Sequence, residues 1–589
     1  MKKKGMFSNL LYLIKLTGTY SPRFILLEIL NGVIMGVFSS ADVVFIKIFY
    51  DALAREMSFR RILTIIATII VVAFLHQLWF QFYRNVLRPI SQQKLQTDLN
   101  ACLFNHARKL DLACYEQNEF YNNFVWAMSK ADTQISALLQ TISNTITMVV
   151  AICVTTTILT SVSLTLALFT IAASVLTVVL QRLVIKNKYQ HSLDANIVNR
   201  KTGYYERIFY TADHAKELRI SRVANTLLRK YHNALLEKRD LAIKYGYRGL
   251  KFELPLTISS KLMQPLVYLV LLYQILVKGI GTISGIAVTF SAFWNLRGRI
   301  QAVIDLGIRI SELSLYTEKI KAFLETEPTI SYGNNKINDF ASLECNNVSF
   351  GYVPHKQVLH DINFRINKGE KIAIVGYNGS GKTTFIKLLL RLYDQTSGQI
   401  LYNCQSASSY SRETLCENLG TVFQDYQLYA LPICENVLCN NYSLDKKNDV
   451  IDALQKASFD IDGFHLDNGI ETELTKEFYR TGINLSGGEK QKVAIARVFA
   501  HDFGLIIMDE PSASLDPKAE YELYNHIDDV SKDTAVIFIS HRLSTTKNAD
   551  FIYMFDNGRI VEAGTHTQLM ELNGKYAEMF NLQAEKFRT

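Results

Sequence analysis

Gly376-Tyr377-Asn378-Gly379-Ser380-Gly381-Lys382-Thr383-Thr384 decides how the second half of this chain folds. From Gly376 to Thr383 it satisfies the spacing G-x-x-x-x-G-K-[ST], and its setting fits: Lys371–Val375 predicts a buried strand and Thr383–Leu392 an amphipathic helix. Glycines let consecutive backbone N–H groups curl around phosphate oxygens without Cβ clashes, and the helix N-terminus adds partial positive charge. Lys382 supplies a point charge for the outer phosphates, and the Thr383 hydroxyl is a hard oxygen ligand for Mg2+.

Working outward, a second apolar strand, Leu505-Ile506-Ile507-Met508, ends in Asp509-Glu510. Taken alone, these carboxylates read equally well as a polar cap on a buried strand. With a phosphate loop upstream they fall at the C-terminal edge of a parallel sheet, where they can reach a metal and an attacking water.

These pieces occur with a lone Gln424, the run Leu485-Ser486-Gly487-Gly488-Glu489-Lys490-Gln491, Ser514-Leu515-Asp516 and a lone His541. Their order and spacing resemble the nucleotide-binding domain of the ABC transporter family, and the apolar first half resembles the six-helix membrane domain of its exporter-type members. The resemblance implies that ATP and Mg2+ are bound. It makes Asp509 a metal-site carboxylate, Glu510 the general base and His541 the switch residue at the γ-phosphate. Gln424 would stand with Thr383 and Asp509 at the metal and link it to the membrane domain. Tyr352 matches the aromatic that stacks on adenine, although a strand tyrosine is more often a packing residue.

The phosphate loop from Gly376, Asn378, Gly379, Ser380 and Gly381 to Lys382, Thr383 and Thr384 would hold the nucleotide. The resemblance implies that the signature Ser486, Gly487 and Gly488 meets the ATP held by a second subunit; since one chain has one of each, a working site then needs two chains. Ser486 is a natural helix N-cap, and Glu489, where the family usually has Gln, suits a capping box. Asp516 looks like the residue that crosses the subunit interface.

The expected fold is an α-helical six-span membrane domain with long cytosolic helical extensions, followed by an α/β P-loop ATPase domain with a helical subdomain. An elbow helix is expected at 1–20, the membrane domain at 21–325, a linker at 326–340 and the ATP-binding domain at 341–589. Spans read at about 24–49, 62–83, 138–160, 164–184, 258–277 and 283–307, each near the roughly 20 residues that cross a bilayer. The Lys-, Arg- and Gln-rich linkers after Tyr83 and Ile185 continue the helices into the cytosol. Coupling helices are expected at their tips, near Tyr115–Asn122 and Ala212–Arg219.

Lys2, Lys3 and Lys4 and the basic linkers place those segments inside by the positive-inside rule, although Arg55, Arg60 and Arg61 on an outer loop run against it. The chain is thus read as a multi-pass protein of the cell membrane with its ATPase domain in the cytosol. The net charge of +8 belongs to membrane-facing loops, and no compact basic domain points to nucleic acid. Eight cysteines show no CxxC pair and read as reduced. Polar residues inside spans, including Glu28, Asp42, Lys47, Arg297 and Arg299, imply an amphipathic cavity, although Glu28 and Lys47 lie near helix ends, where snorkelling is the alternative.

The stretch from Leu474 to Gly488 resembles its counterpart in Gram-positive bacteriocin and lantibiotic exporters, which favours a peptide cargo. Lipid or multidrug export is the alternative, and a non-transporting ABC ATPase a remote one. No N-terminal cysteine peptidase domain is expected, since spanning sequence begins by about residue 24. The intact motif set favours a homodimer in contact with membrane lipid, with a heterodimer of two half-transporters left open.

Overall fold

The structure, a computed structural model, describes residues 4–162, 164–277, 283–353, 356–461, 463, 466, 468–540 and 542–588. Two compact units emerge: Met1–Lys109 with Gln117–Glu327, and Leu110–Glu116 with Pro328–Thr589.

The first unit is helical: α1 (Lys4–Tyr20), α2 (Pro22–Phe38), α3 (Ala41–Ala54), α4 (Phe59–Phe82) and α5 (Arg88–Lys109), the last two joined by a π turn at Tyr83–Leu87. Among the described residues, Pro22–Ala54, Phe59–Lys109 and Ala131–Ser161 are long and apolar enough to cross a membrane. The span expected at 24–49 is broken at Ser39–Ser40, so it is two helices. Both hydroxyls explain the break: Ser39 Oγ donates back to Gly36 O at 2.9 Å, and Ser40 Oγ donates to Ala151 O at 3.2 Å. The freed Ser39 carbonyl accepts a hydrogen bond from Arg299 Nη2. Arg297 lies outside the described side chains.

Glu28 does not snorkel. Its carboxylate is 1% exposed and lies 3.6 Å from Arg88 Nε at the end of the π turn. Lys47 donates to Ser161 Oγ at 2.7 Å. α2 packs on α7 (Asn118–Val162) at very close range, since a Cβ on Gly36 would fall 2.7 Å from Val150 Cβ. Removing side chains there lets two backbones meet where lipid offers no hydrophobic drive.

Three more long helices complete this unit: α8 (Leu164–Tyr210), α10 (Val223–Leu276) and α11 (Ile283–Leu324), with short α9 (Ala215–Ile220) preceding α10. The expected spans at 164–184, 258–277 and 283–307 lie within these helices, though many of their side chains lie outside the described residues. At 1.5 Å per residue, α8 runs roughly 70 Å, about twice the thickness of a bilayer core. The tip expected at Ala212–Arg219 is a 3-10 turn, Ala212–His214, followed by α9.

The tip expected at Tyr115–Asn122 is instead helix α6 (Leu112–Glu116), and Asn118 already opens α7. Asp111 sets this register. Its Oδ2 accepts hydrogen bonds from Thr329 N, Thr329 Oγ1 and Ile330 N, which ties α6 into the second unit. Residues 326–340, expected as a linker, run along that unit from Pro328 and bury Ile330, Ile337 and Phe340.

The second unit contains two sheets. One is antiparallel, in the order β2-β1-β4-β5: β1 (Ser342–Phe350), β2 (Leu359–Asn367), β4 (Ser397–Tyr402) and β5 (Gln405–Ser406). The other has the order β10-β9-β3-β8-β7-β6. It is built from β3 (Lys371–Gly376), β6 (Leu419–Val422), β7 (Leu505–Asp509), β8 (Ala535–Ile539), β9 (Phe551–Asp556) and β10 (Arg559–Gly564). Only β10 is antiparallel to its neighbour. β3, β7 and β8 are buried at every position, which accounts for their continuous apolar runs. In register, Ile539 of β8 faces both Ile374 and Asp509, so the strand ends of β3 and β7 come level.

Candidate nucleotide site

Gly376 ends β3 with φ +151°, and a Cβ there would fall 2.2 Å from Phe555 O, so only glycine turns the chain at this point. The loop leads through Gly381, at φ +103°, into α12 (Lys382–Leu389). Tyr377, Asn378 and Gly379 stand exposed at the loop's tip, and Ser380 is buried. Lys382 is also buried, with its ammonium donating to Gly376 O at 2.8 Å and Tyr377 O at 3.0 Å. Burial pulls its pKa below the ordinary lysine value, and Asp509 and Glu510 pull it back.

Thr383 Oγ1 donates to Asp509 Oδ2 at 3.0 Å, and Gln424 Nε2 donates to Glu510 Oε2 at 3.1 Å. The structure therefore brings Lys382, Thr383, Gln424, Asp509 and Glu510 together. The adjoining hydroxyl and carboxylate oxygens of Thr383 and Asp509 are a hard donor set that fits Mg2+. Gln424 offers its amide nitrogen to Glu510 here, and would have to turn its amide over to offer oxygen to a metal.

Glu510 has φ +52°, a left-handed backbone that is unfavourable for a residue with a side chain. Its N–H donates to Ile539 O at 3.1 Å, and its carbonyl accepts from Gln491 Nε2 at 3.2 Å. Gln491 Oε1 also accepts from Ser514 N at 2.8 Å. The signature run includes Gln491, but the sequence alone assigns it no role. A polar residue on the inner face of an amphipathic helix, five positions after Ser486, was the available signal.

α16 (Gly487–Phe499) carries Gln491 and opens at the signature. Ser486 is its N-cap within a full capping box: Ser486 N donates to Glu489 Oε2 at 2.6 Å and Glu489 N to Ser486 Oγ at 3.4 Å. Glu489 thus does what its position suggested. Gly487 O accepts from Tyr426 Oη at 2.9 Å, two residues beyond Gln424, which joins the signature to the glutamine loop. Asp516 caps α17 (Pro517–Val530); hydrogen bonds, first from Ala519 N–H, hold its carboxyl below the usual range.

Tyr352 leans on the loop, with its hydroxyl 3.2 Å from Thr384 Oγ1. Its ring meets Phe350 and Tyr393 edge-on at 5.0 and 5.3 Å and is 41% exposed, which leaves surface for a flat base. His541 lies outside the described residues. Its neighbours Ser540 and Arg542 are linked by a hydrogen bond from Arg542 N to Ser540 Oγ at 3.0 Å.

Residues 359–513 match the family profile described as ABC transporter, and this part of the chain is an ABC transporter ATP-binding domain. The whole chain has the fold of an ABC exporter. It superposes on a structure described as a bacterial Atm1-family ABC exporter with ATP bound, with TM-score 0.77 and 24% identity over 95% of this chain and 98% of the other. The subtilin transport ATP-binding protein SpaT of Bacillus subtilis is 31% identical over 403 residues, covering 64% of this chain and 62% of its own length. The putative multidrug export ATP-binding/permease protein YgaD of Bacillus subtilis strain 168 is 36% identical over 242 residues, 41% of each chain. These matches thus span well under the full length of the curated relatives.

Proposed function

We propose that this chain is one half of an ATP-driven exporter of the cell membrane, which pairs with a second copy of itself and moves an amphipathic peptide outward. The observation that carries the ATPase is the hydrogen-bonded set Thr383–Asp509 and Gln424–Glu510 beside the buried ammonium of Lys382. With ATP bound, the Lys382 ammonium leaves the loop carbonyls for the β/γ-phosphates, while the loop N–H groups and the start of α12 hold their oxygens. Mg2+ held by Thr383 and Asp509 would supply charge neutralisation for the phosphates. Glu510 accepts the proton of the attacking water, and its clamped backbone keeps the carboxylate aimed. His541 is proposed to contact the γ-phosphate, and Ser486, Gly487 and Gly488 to cap the ATP of the opposite subunit.

Support for a peptide comes from the extent of the likeness to SpaT. That match is longer than the whole Pro328–Thr589 segment, so it reaches into the helical unit, where cargo contacts would lie. The match to YgaD is shorter and favours the second reading, export of drugs. The test is ATPase stimulation of reconstituted protein by a panel of secreted peptides, lipids and drugs. Stimulation by peptides alone is the expected result, and stimulation by drugs alone would replace the first reading with the second.

A further inference from the structure

A cavity of about 750 Å3 opens among α7, α8 and α11 in the first unit. One wall is aromatic: Trp126 and Tyr316 pack with ring centroids 5.3 Å apart, and Tyr189 stands on the neighbouring helix. The Lys319 ammonium sits 4.4 Å from the Trp126 ring centroid, and Arg200 completes the cationic side. Burial, and then the charge of Arg200, pull the Lys319 ammonium below its ordinary pKa.

The two cations stand side by side at this wall. Three lysines of the same unit are paired, Lys188 with Glu253, Lys201 with Glu237 and Lys321 with Glu325. Among the described residues, neither Arg200 nor Lys319 has an ion-pair partner. Glu318 lines the same cavity and pairs with neither. Two like charges beside an apolar wall are a costly arrangement that an incoming anion would relieve.

We propose that this cavity is a receiving site for a carboxylate-bearing peptide, with the carboxylate held by Arg200 and Lys319 and an apolar or aromatic neighbour laid on Trp126 and Tyr316. The proposal rests on the exporter reading above and deepens it by giving its cargo an acidic group. Asn196 and Asn199 add amide donors and acceptors at the rim, which suit a peptide backbone better than a bare anion. Trp126 precedes the apolar stretch Ala131–Ser161, so the cavity lies at the end of that stretch and not within it, and phosphatidylglycerol enters the test below as the competing anion.

The test uses full-length, nucleotide-free protein in neutral phosphatidylcholine nanodiscs. A fluorescein-labelled peptide, Leu-Glu-Phe-Leu-Glu-Phe with blocked ends, is compared with its glutamine counterpart by fluorescence anisotropy. The acidic peptide should bind at least about tenfold more tightly, as expected for charge-assisted contacts, and Arg200→Gln with Lys319→Gln should erase that preference. Trp126→Leu should weaken both peptides alike. Equal binding of the two peptides, a preference that survives the double variant, or displacement of the acidic peptide by short-chain phosphatidylglycerol as readily as by unlabelled peptide would each overturn the proposal. Basal ATPase of the double variant reports folding, since neither residue belongs to the nucleotide site. Equal binding of the two peptides by the unmodified protein, with cargo-stimulated ATPase intact, would remove this site and leave the exporter reading standing.

Discussion

Glu510 holds a left-handed backbone that costs on the order of 1–3 kcal/mol, and its neighbours brace it: Ile539, Gln491 and Ala513 through the main chain, Gln424 through the carboxylate. Glu510→Gln keeps the shape and removes the proton acceptor. Steady-state hydrolysis should fall by roughly 100-fold or more with ATP binding retained, and near-normal turnover would refute the assignment. Lys382 and Tyr352 should separate differently. Lys382→Ala is expected to lower both affinity and rate, because its charge is proposed to face the transferred phosphate. Tyr352→Ala should weaken ATP binding by about 2–10-fold and spare the rate at saturation, since stacking does no chemistry. Nucleotide titration and turnover, measured separately, check the split; unchanged affinity in the tyrosine variant would leave Tyr352 as packing alone.

At the scale of elements, the most consequential contact is the one Asp111 makes. A single carboxylate oxygen takes hydrogen bonds from Thr329 N, Thr329 Oγ1 and Ile330 N, and it fastens α6 to the start of the second unit's main segment. Asp111→Ala leaves those donors without their partner, at a local cost of about 2–4 kcal/mol. The expected outcome is a protein that hydrolyses ATP at its basal rate and no longer responds to cargo. Retained cargo stimulation, measured in the same vesicles, would show that α6 carries no signal.

Elements also differ in how plainly the sequence announces them. Lys371–Gly376 and Leu505–Asp509 are legible because a parallel strand buried on both faces must be apolar throughout, and the glycines of the loop answer a local steric demand. The capping box at Ser486 and Glu489 was equally local. The break at Ser39–Ser40, the inward turn of Glu28 and the start of α6 at Leu112 depend on partners far along the chain, namely Ala151, Arg88 and Thr329. Gln491 escaped for the same reason: helix periodicity marks it as inward-facing, and only the fold reveals that it reaches Glu510.

For the whole molecule, the intact set of Lys382, Gln424, Ser486, Gly488, Glu510 and His541 implies two complete sites in a pair of identical chains. Expressed alone, the protein should purify at twice its chain mass of 67.0 kDa and show ATPase activity cooperative in ATP. An inactive particle rescued only by a second half-transporter would point to a heterodimer.

The division of the second unit into Leu110–Glu116 and Pro328–Thr589 also sets a timetable for biogenesis. The first piece leaves the ribosome with more than two hundred residues still to be made before Pro328, a delay of roughly 10–40 s at 5–20 residues per second. During that interval Asp111 and Ala113 have no surface to dock on, and their contacts form only once the segment from Pro328 onward has been made. The docking of α6 therefore waits for the helices between the two pieces, so a failure in making them would leave the nucleotide-binding domain without its α6 contact.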